Sequence, residues 1–277
     1  MRLMPGLIGA LAATCLFGSQ PGHAQTAQPR WSVDGSGAFC TLARGVAEAP
    51  ATSLVVRTYP GTDKFSFLLI RKAPGGLGAT RDVSISFDPP GQQWTKPLSV
   101  LPLGDLGTAI SLDYLPAAFI EDFGKASSIT IAVGKKAIGT WPIPVAGKAI
   151  DALRRCETAK LVEWGADPAS FEPGGATPKP VGDASGWLVP DDINRGGTGS
   201  FSGMVVARLT IGMDGRVEGC ALVDSSHNTK FDAVACPRLT ERARYTPATD
   251  KTGKPVRSAA VFATSWRIVD IITAEHF

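Results

Sequence analysis

The sequence predicts an α+β fold in two parts, a β-rich N-terminal domain and a smaller C-terminal domain built from a hairpin, a helix and a closing strand. Three observations support this prediction. Short apolar runs separated by turn residues fill residues 31–141. Two apolar runs flank an Asp-Gly turn at Asp214-Gly215. Beyond Ser225-Ser226, apolar residues recur at helical spacing before a last strand, Ser258–Ile268.

The N-terminal domain, predicted for residues 31–166, is expected to form a β-sandwich or small barrel closed by a helix. Apolar and polar residues alternate most clearly at 83–87 and 129–133. Ala149, Ile150, Leu153 and Cys156 lie on one face of the closing helix. The predicted strands are 39–42, 54–56, 65–70, 83–87, 110–114, 129–133 and 138–141.

Residues 167–183 are predicted to form a semi-extended linker, because they hold many prolines and glycines that disfavour regular structure. The second domain is predicted for residues 184–270. Its hairpin turns at Met213-Asp214-Gly215-Arg216, and its helix carries Phe231, Val234, Ala235, Leu239 and Ala243 on one face. Asp224-Ser225-Ser226 is expected to cap this helix, and Pro247 to end it.

The residues at these joints resemble the C-terminal domain of the TonB family over residues 187–268. The matching pieces are the run from Val206 through Asp214-Gly215 to Cys220, Ser225-Ser226, Phe231-Asp232, the segment 244–248 and Gly253-Lys254-Pro255-Val256. The resemblance implies a non-enzymatic module whose last strand pairs with a short segment of an outer-membrane receptor. More weakly, the N-terminal domain resembles the invasion-associated locus B family, through its strand rhythm and the Pro144-x-x-Gly147-x-Ala149 approach to the helix.

The N-terminus indicates export. Arg2 precedes an apolar stretch, and Gly22-His23-Ala24 offers small residues for cleavage, so residues 1–24 are predicted to be a signal peptide and the protein to be periplasmic. An uncleaved segment would anchor the protein in the inner membrane. With a net charge of only +3, the chain has no general electrostatic field for nucleic acid.

Four cysteines remain after the predicted cleavage, and an even number in an exported chain indicates disulfides. Three pairings are open; we favour Cys40 with Cys156 and Cys220 with Cys236. A metal or redox site is not expected, because the chain has no Cys-x-x-Cys motif and the mature chain keeps only His227 and His276.

The edge of the last strand is the candidate site. An exposed strand edge presents unpaired N–H and C=O groups, which recruit extended peptides by β-augmentation. The predicted contact strand comprises Ser258, Ala260, Phe262, Thr264, Trp266 and Ile268. The expected partner is a protein or peptide of the cell envelope, such as an outer-membrane receptor, and dimer pairing through the same edge is the competing use.

No catalytic residue and no cofactor are predicted. Asp191-Asp192 is expected to form a solvated turn, and Arg238, Arg242 and Arg244 a solvated helix face. Two alternatives remain open. A membrane-anchored energy transducer requires the signal segment to stay uncut, and a periplasmic hydrolase requires titratable groups that converge between the domains.

Overall fold

A computed structural model describes residues 30–46, 52–72, 82–192 and 201–268. The predicted signal peptide lies outside these residues. The chain is α+β, as predicted. The β-strands are β1 (Ser32–Asp34), β2 (Cys40–Val46), β3 (Thr52–Thr58), β4 (Lys64–Arg71), β5 (Asp82–Asp88), β6 (Trp94–Pro97), β7 (Ser99–Pro102), β8 (Thr108–Pro116), β9 (Ser128–Val133), β10 (Lys136–Pro142), β11 (Lys179–Pro180), β12 (Phe201–Ile211), β13 (Val217–Asp224), β14 (Tyr245–Thr246), β15 (Ala248–Thr249), β16 (Pro255–Val256) and β17 (Ser258–Ile268). The α-helices are α1 (Ala117–Lys125), α2 (Ala146–Glu163) and α3 (Thr229–Arg242).

The N-terminal part is a sandwich of two antiparallel sheets. One sheet has the order β1-β2-β3-β4-β8-β7 and the other β10-β9-β5-β6. Their inner faces share one core, in which Leu54, Phe67, Ile85 and Ile131 are fully buried. Since apolar burial is the dominant stabilising term, this shared core is what makes the two sheets one folding unit.

Helix α1 was not predicted from the sequence. Its buried residues Phe119, Ile120 and Phe123 continue directly from β8, and Pro116 at the N-cap supplies no side-chain hydrogen bond to mark the helix start. Aromatic rings on α1 contact Phe67 and Phe87 of the two sheets. The helix therefore fills the open side of the sandwich, next to the predicted closing helix α2.

The C-terminal part follows the predicted pattern. A three-stranded antiparallel sheet has the order β13-β12-β17, and α3 covers one of its faces through Phe231, Ala235 and Leu239. Helix α3 begins at a different cap than predicted. Asn228 accepts hydrogen bonds from the N–H groups of the first turn, whereas Ser225 and Ser226 donate to the Asp232 carboxylate.

Both predicted disulfides form. Cys40 at the start of β2 joins Cys156 on α2, and Cys220 on β13 joins Cys236 on α3. Each bond closes within one part of the chain.

The predicted linker 167–183 is more ordered than its composition suggests. Pro168–Phe171 forms a 3-10 helix capped by Asp167, and Lys179–Pro180 pairs with β14. Ala176 also forms a β-bridge with Thr249. The segment stays extended, as its prolines favour, but partners more than sixty residues later in the chain hold it against the C-terminal part.

We predict that the hairpin turn is the most substitution-sensitive glycine site of the C-terminal part. Gly215 has a φ of +79°, and a Cβ there would collide with the carbonyl oxygen of Tyr245. Gly253 has a similar φ of +83° but open space around it. Gly253→Ala should therefore cost about 1–2 kcal/mol from the left-handed backbone alone, and Gly215→Ala at least about 2 kcal/mol more. Equal losses in the free energy of unfolding for the two variants, measured with denaturant, would contradict the close approach of the Tyr245 carbonyl to Gly215.

Candidate partner-binding edge

The last strand pairs with β12 over its full length. The antiparallel register runs without a bulge from Ile211 opposite Ser258 to Phe201 opposite Ile268. Strand β17 is at the edge of its sheet, and no strand in the described part of the chain pairs with its outer side. The predicted edge is therefore present in the fold.

The direction of the backbone groups follows from the hairpin. Gly212 donates its N–H to the carbonyl of Arg216, so its backbone groups face β13. Because successive residues of a strand alternate in direction, the odd-numbered residues of β12 face β17, and their partners on β17 are the even-numbered residues. The odd-numbered residues of β17 accordingly direct their N–H and C=O groups outward.

Even-numbered and odd-numbered residues of β17 therefore direct their backbone groups to opposite sides of the strand. The predicted contact residues Ser258, Ala260, Phe262, Thr264, Trp266 and Ile268 direct their backbone groups to β12. The side chains of Ala260 and Phe262 belong to the core beneath α3, where Phe262 stacks near Trp187. The side chains of Trp266 and Ile268 lie outside the described residues. The backbone groups directed outward beyond Ala259 belong to the alternate residues Val261, Ala263, Ser265 and Arg267, of which Val261 is only 9% exposed and Ala263 is half-buried.

The beginning of the outer edge is covered by the chain itself. The N–H of Asp167 donates to the carbonyl of Arg257 at 2.9 Å. Next to it, Ala259 is buried against Leu161 and Ala166, at the end of α2. The hydrogen bond at Arg257 has the direction expected for an odd-numbered residue, and together the two contacts close the edge up to Ala259.

The sheet face opposite α3 packs on the N-terminal part. Val206 of β12 is fully buried although it does not belong to the core beneath α3. Near it, the hydroxyl groups of Tyr59 and Tyr114 each lie 3.8 Å from the Sδ of Met204. Burial raises the pKa of Tyr59, and the nearby Asp224 carboxylate adds to this effect. Helix α3 thus covers one face of the small sheet and the N-terminal part covers the other in part, with Arg208 still exposed there. The outer edge of the sheet remains.

A half-buried carboxyl group, that of Glu157, lies next to Tyr59 and accepts a hydrogen bond from the adjacent Thr58. The Thr58 hydroxyl donates to the Oε1 of Glu157 on α2 at 3.0 Å. Burial raises the pKa of Glu157 from 4.5 to about 7, against smaller opposite effects of the Thr58 hydrogen bond and the Arg154 charge. The group is therefore close to half ionised at neutral pH, in the element that contacts β17.

Asp192 has a structural role that differs from the predicted solvated turn. Its carboxylate accepts two hydrogen bonds from Arg242 and one from the Val189 N–H, and it lies 3.0 Å from Arg238. Burial raises its pKa, but the hydrogen bonds and the two guanidinium charges outweigh this and hold the pKa of Asp192 below the usual value of an aspartate. Arg238 and Arg242 are likewise bound to this carboxylate instead of forming a purely solvated face, whereas Arg244 lies beyond the end of α3 and donates to the carbonyl of Ala243. Asp191 is exposed beside it.

Within the described residues, no group of three or more His, Cys, Asp or Glu side chains is placed to hold a metal ion. In the same residues, every helix is too short or too polar to cross a membrane.

Together, the hairpin, α3 and the long edge strand define a small α+β module whose open feature is a strand edge. The family described as "Gram-negative bacterial TonB protein C-terminal" matches residues 200–268, as the resemblance predicted. The match covers about a quarter of the chain and makes this part TonB-like; domains of this family are linked to outer-membrane transport, are in general periplasmic and interact with outer-membrane receptors. Neither the curated proteins nor the solved structures provide a match. The resemblance of the N-terminal part to the invasion-associated locus B family stays a prediction.

No local sequence pattern marks the residues that cover the sheet and close its edge. Asp167, Leu161, Tyr59 and Tyr114 are distant from β17 in the chain, and each has an ordinary local pattern. Only the fold brings them to the strand.

The Asp192 cluster should contribute stability that depends on pH. Asp192→Asn should lower the free energy of unfolding by about 2 kcal/mol, because Arg238 and Arg242 lose their carboxylate partner. The pKa of Asp192 is depressed, so this contribution is full above about pH 5 and is lost as the pH falls through the folded-state pKa. Denaturant unfolding from pH 2 to 7 measures it. Asp191→Asn is the matched control and should change stability by less than about 0.5 kcal/mol. A pH-independent difference between Asp192→Asn and the native protein would contradict the assignment.

The Glu157 carboxyl group should make the stability depend on pH in the opposite direction to Asp192. Its pKa is raised, so the folded state holds the proton more tightly, and the native protein should lose stability as the pH rises from 4.5 to about 7. Glu157→Gln should match the native protein below pH 4.5 and exceed it by about 1–2 kcal/mol above pH 7. The exposed Asp151 on the same helix provides the control Asp151→Asn. An unchanged pH profile in Glu157→Gln would show that the carboxyl group is not buried as described.

Proposed function

We propose that this protein is a periplasmic, non-enzymatic binding module that recognises an extended segment of a cell-envelope protein by pairing with the outer edge of β17. The observation that carries the proposal is the outward direction of the backbone groups at Val261, Ala263, Ser265 and Arg267 on an edge strand. A visiting strand satisfies these groups, which supplies affinity, while alternate side chains supply selectivity.

The match to the TonB C-terminal family supports an outer-membrane receptor as the partner class. The export signal predicted for residues 1–24 supports a location where such receptors present their periplasmic segments. In this proposal the protein takes part in TonB-dependent transport as a binding partner. Force transmission from the inner membrane is the alternative, and it requires residues 1–24 to remain attached. The N-terminal residue of the mature protein distinguishes the two.

The edge is also suited to a second copy of the chain, which would pair β17 with β17. The same backbone groups serve both uses, so the two compete. The oligomeric state of the mature protein, measured by light scattering across a concentration series, would show which use the free protein makes of its edge.

A proline substitution tests edge pairing without opening the sheet. Ala263→Pro removes an N–H that faces outward, and proline is tolerated on edge strands in this orientation. The variant should keep the fold, judged by circular dichroism and melting temperature within a few degrees. It should lose at least about ten-fold in capture of outer-membrane proteins identified by mass spectrometry, because one lost backbone bond and one steric clash interrupt the pairing.

Two further variants serve as controls for this substitution. Ala263→Thr keeps the N–H and should capture partners as the native protein does. Thr264→Pro removes an N–H that bonds β12 and should destabilise the domain. Full capture by Ala263→Pro would refute edge pairing.

A further inference from the structure

The open part of the edge is bounded by the end of the N-terminal part and by Asp167, the first residue of the segment 167–183. The Asp167 N–H donates a hydrogen bond to the carbonyl of Arg257, and Ala166 and Leu161 bury Ala259. A visiting strand would meet Asp167 if it extended past the position opposite Val261. Its pairing is therefore confined to the stretch from Val261 to Arg267, about seven residues or 20 Å at ~3.3 Å per residue.

The N-terminal part also lies along one face of the same strand. It contacts the sheet at Ala259 through Leu161, and at Met204 through Tyr59 and Tyr114. Met204 is directly opposite Ser265, so the two contacts are separated by about 20 Å along β17. Every second side chain of a visiting strand would point towards this side of the sheet.

At the closed end, the surface next to the edge is apolar and aromatic. Trp164 and Phe171 are partly buried hydrophobic residues that pack on Leu161, Ala166 and Ala259. The partial exposure of these rings leaves apolar area that a neighbouring side chain would cover. Aromatic surface of this kind contributes strongly to binding when a partner desolvates it.

We propose that the end of the N-terminal part and the segment that follows it, through Trp164, Phe171 and the Asp167 stop, set the length, the register and the end-residue preference of the strand that β17 accepts. The partner segment is an extended peptide of about seven residues. It ends against Ala166 and Asp167 with an apolar side chain on Trp164. This inference rests on the edge pairing proposed above and adds a role for residues outside the family match.

The test uses the mature full-length protein and peptides selected on it from a displayed library of 12-residue random sequences as the probe. Amide hydrogen exchange of the complex reports the register. Exchange should slow at Val261, Ala263, Ser265 and Arg267 and stay unchanged at Ala259. Trimming the peptides to seven residues should keep the dissociation constant within two-fold, and trimming below five should weaken binding at least ten-fold.

Variants of Trp164 test the end-residue preference. Trp164→Ala should weaken binding at least five-fold for peptides that carry an apolar end residue, and less than two-fold when that residue is replaced by serine. Trp164→Phe should restore the preference. A destabilised Trp164→Ala protein would still be informative, because the serine-ended peptide measures its remaining edge affinity.

The substitution Asp167→Pro tests the stop itself. The φ of Asp167 is −68°, which a proline ring accepts, so the change removes the N–H bonded to Arg257 together with the cap of the 3-10 helix. Asp167→Ala removes only the cap. Asp167→Pro, and not Asp167→Ala, should let bound peptides slow exchange at Ala259 or lengthen the preferred segment.

The outcomes separate the two proposals. If no selected peptide slows exchange at any outward residue of β17, or if only a second copy of the chain does so, edge recognition of a foreign segment fails. If peptides pair with the edge but bind equally well to Trp164→Ala, or extend past Val261 in the native protein, only the role of the N-terminal part fails.

Discussion

The ladder between β12 and β17 is the constraint on which the C-terminal part depends. It runs without a register shift from the hairpin end to the last described residue, so every even-numbered residue of β17 is committed to β12. The same regularity directs every odd-numbered residue outward. Folding thus uses the backbone groups of the even-numbered residues, and the proposed recognition uses those of the odd-numbered residues. Loss of a backbone bond in one set does not directly remove a bond of the other set.

The second constraint is the cover on both faces of this small sheet. Three strands and one helix bury limited apolar area, and a sheet with one bare face is marginal at this size. Here α3 packs on one face, and the end of α2 with Tyr59 and Tyr114 packs on the other. Both faces of the sheet are therefore at least partly occupied, and its outer edge is where further backbone pairing can occur.

Local patterns were sufficient for much of the fold. The Asp-Gly turn, the helical spacing of Phe231, Ala235 and Leu239, and the alternation in β5 and β9 each act within a few residues, and each produced the predicted element. The cysteine pairs followed from the element order. Helix α1 was missed because an apolar strand leads into it through Pro116 without a polar cap, and β1, β6 and β7 are too short to show a period. The outward direction of the odd-numbered residues of β17 could not be predicted without the register of the hairpin. The closed end of the edge could not be predicted because it is formed by residues about 90 to 100 positions away in the chain.

The placement of the disulfides bears on how the two parts can move. Cys40–Cys156 closes within the sandwich and its helix, and Cys220–Cys236 closes within the hairpin and α3. Among the described cysteines, no covalent bond joins one part to the other, and the surfaces between them meet through side-chain packing and single hydrogen bonds. Each part can consequently stay intact in an oxidising compartment while the surfaces separate. Such a parting would uncover Ala259 and lengthen the strand available to a visitor, without unfolding either half.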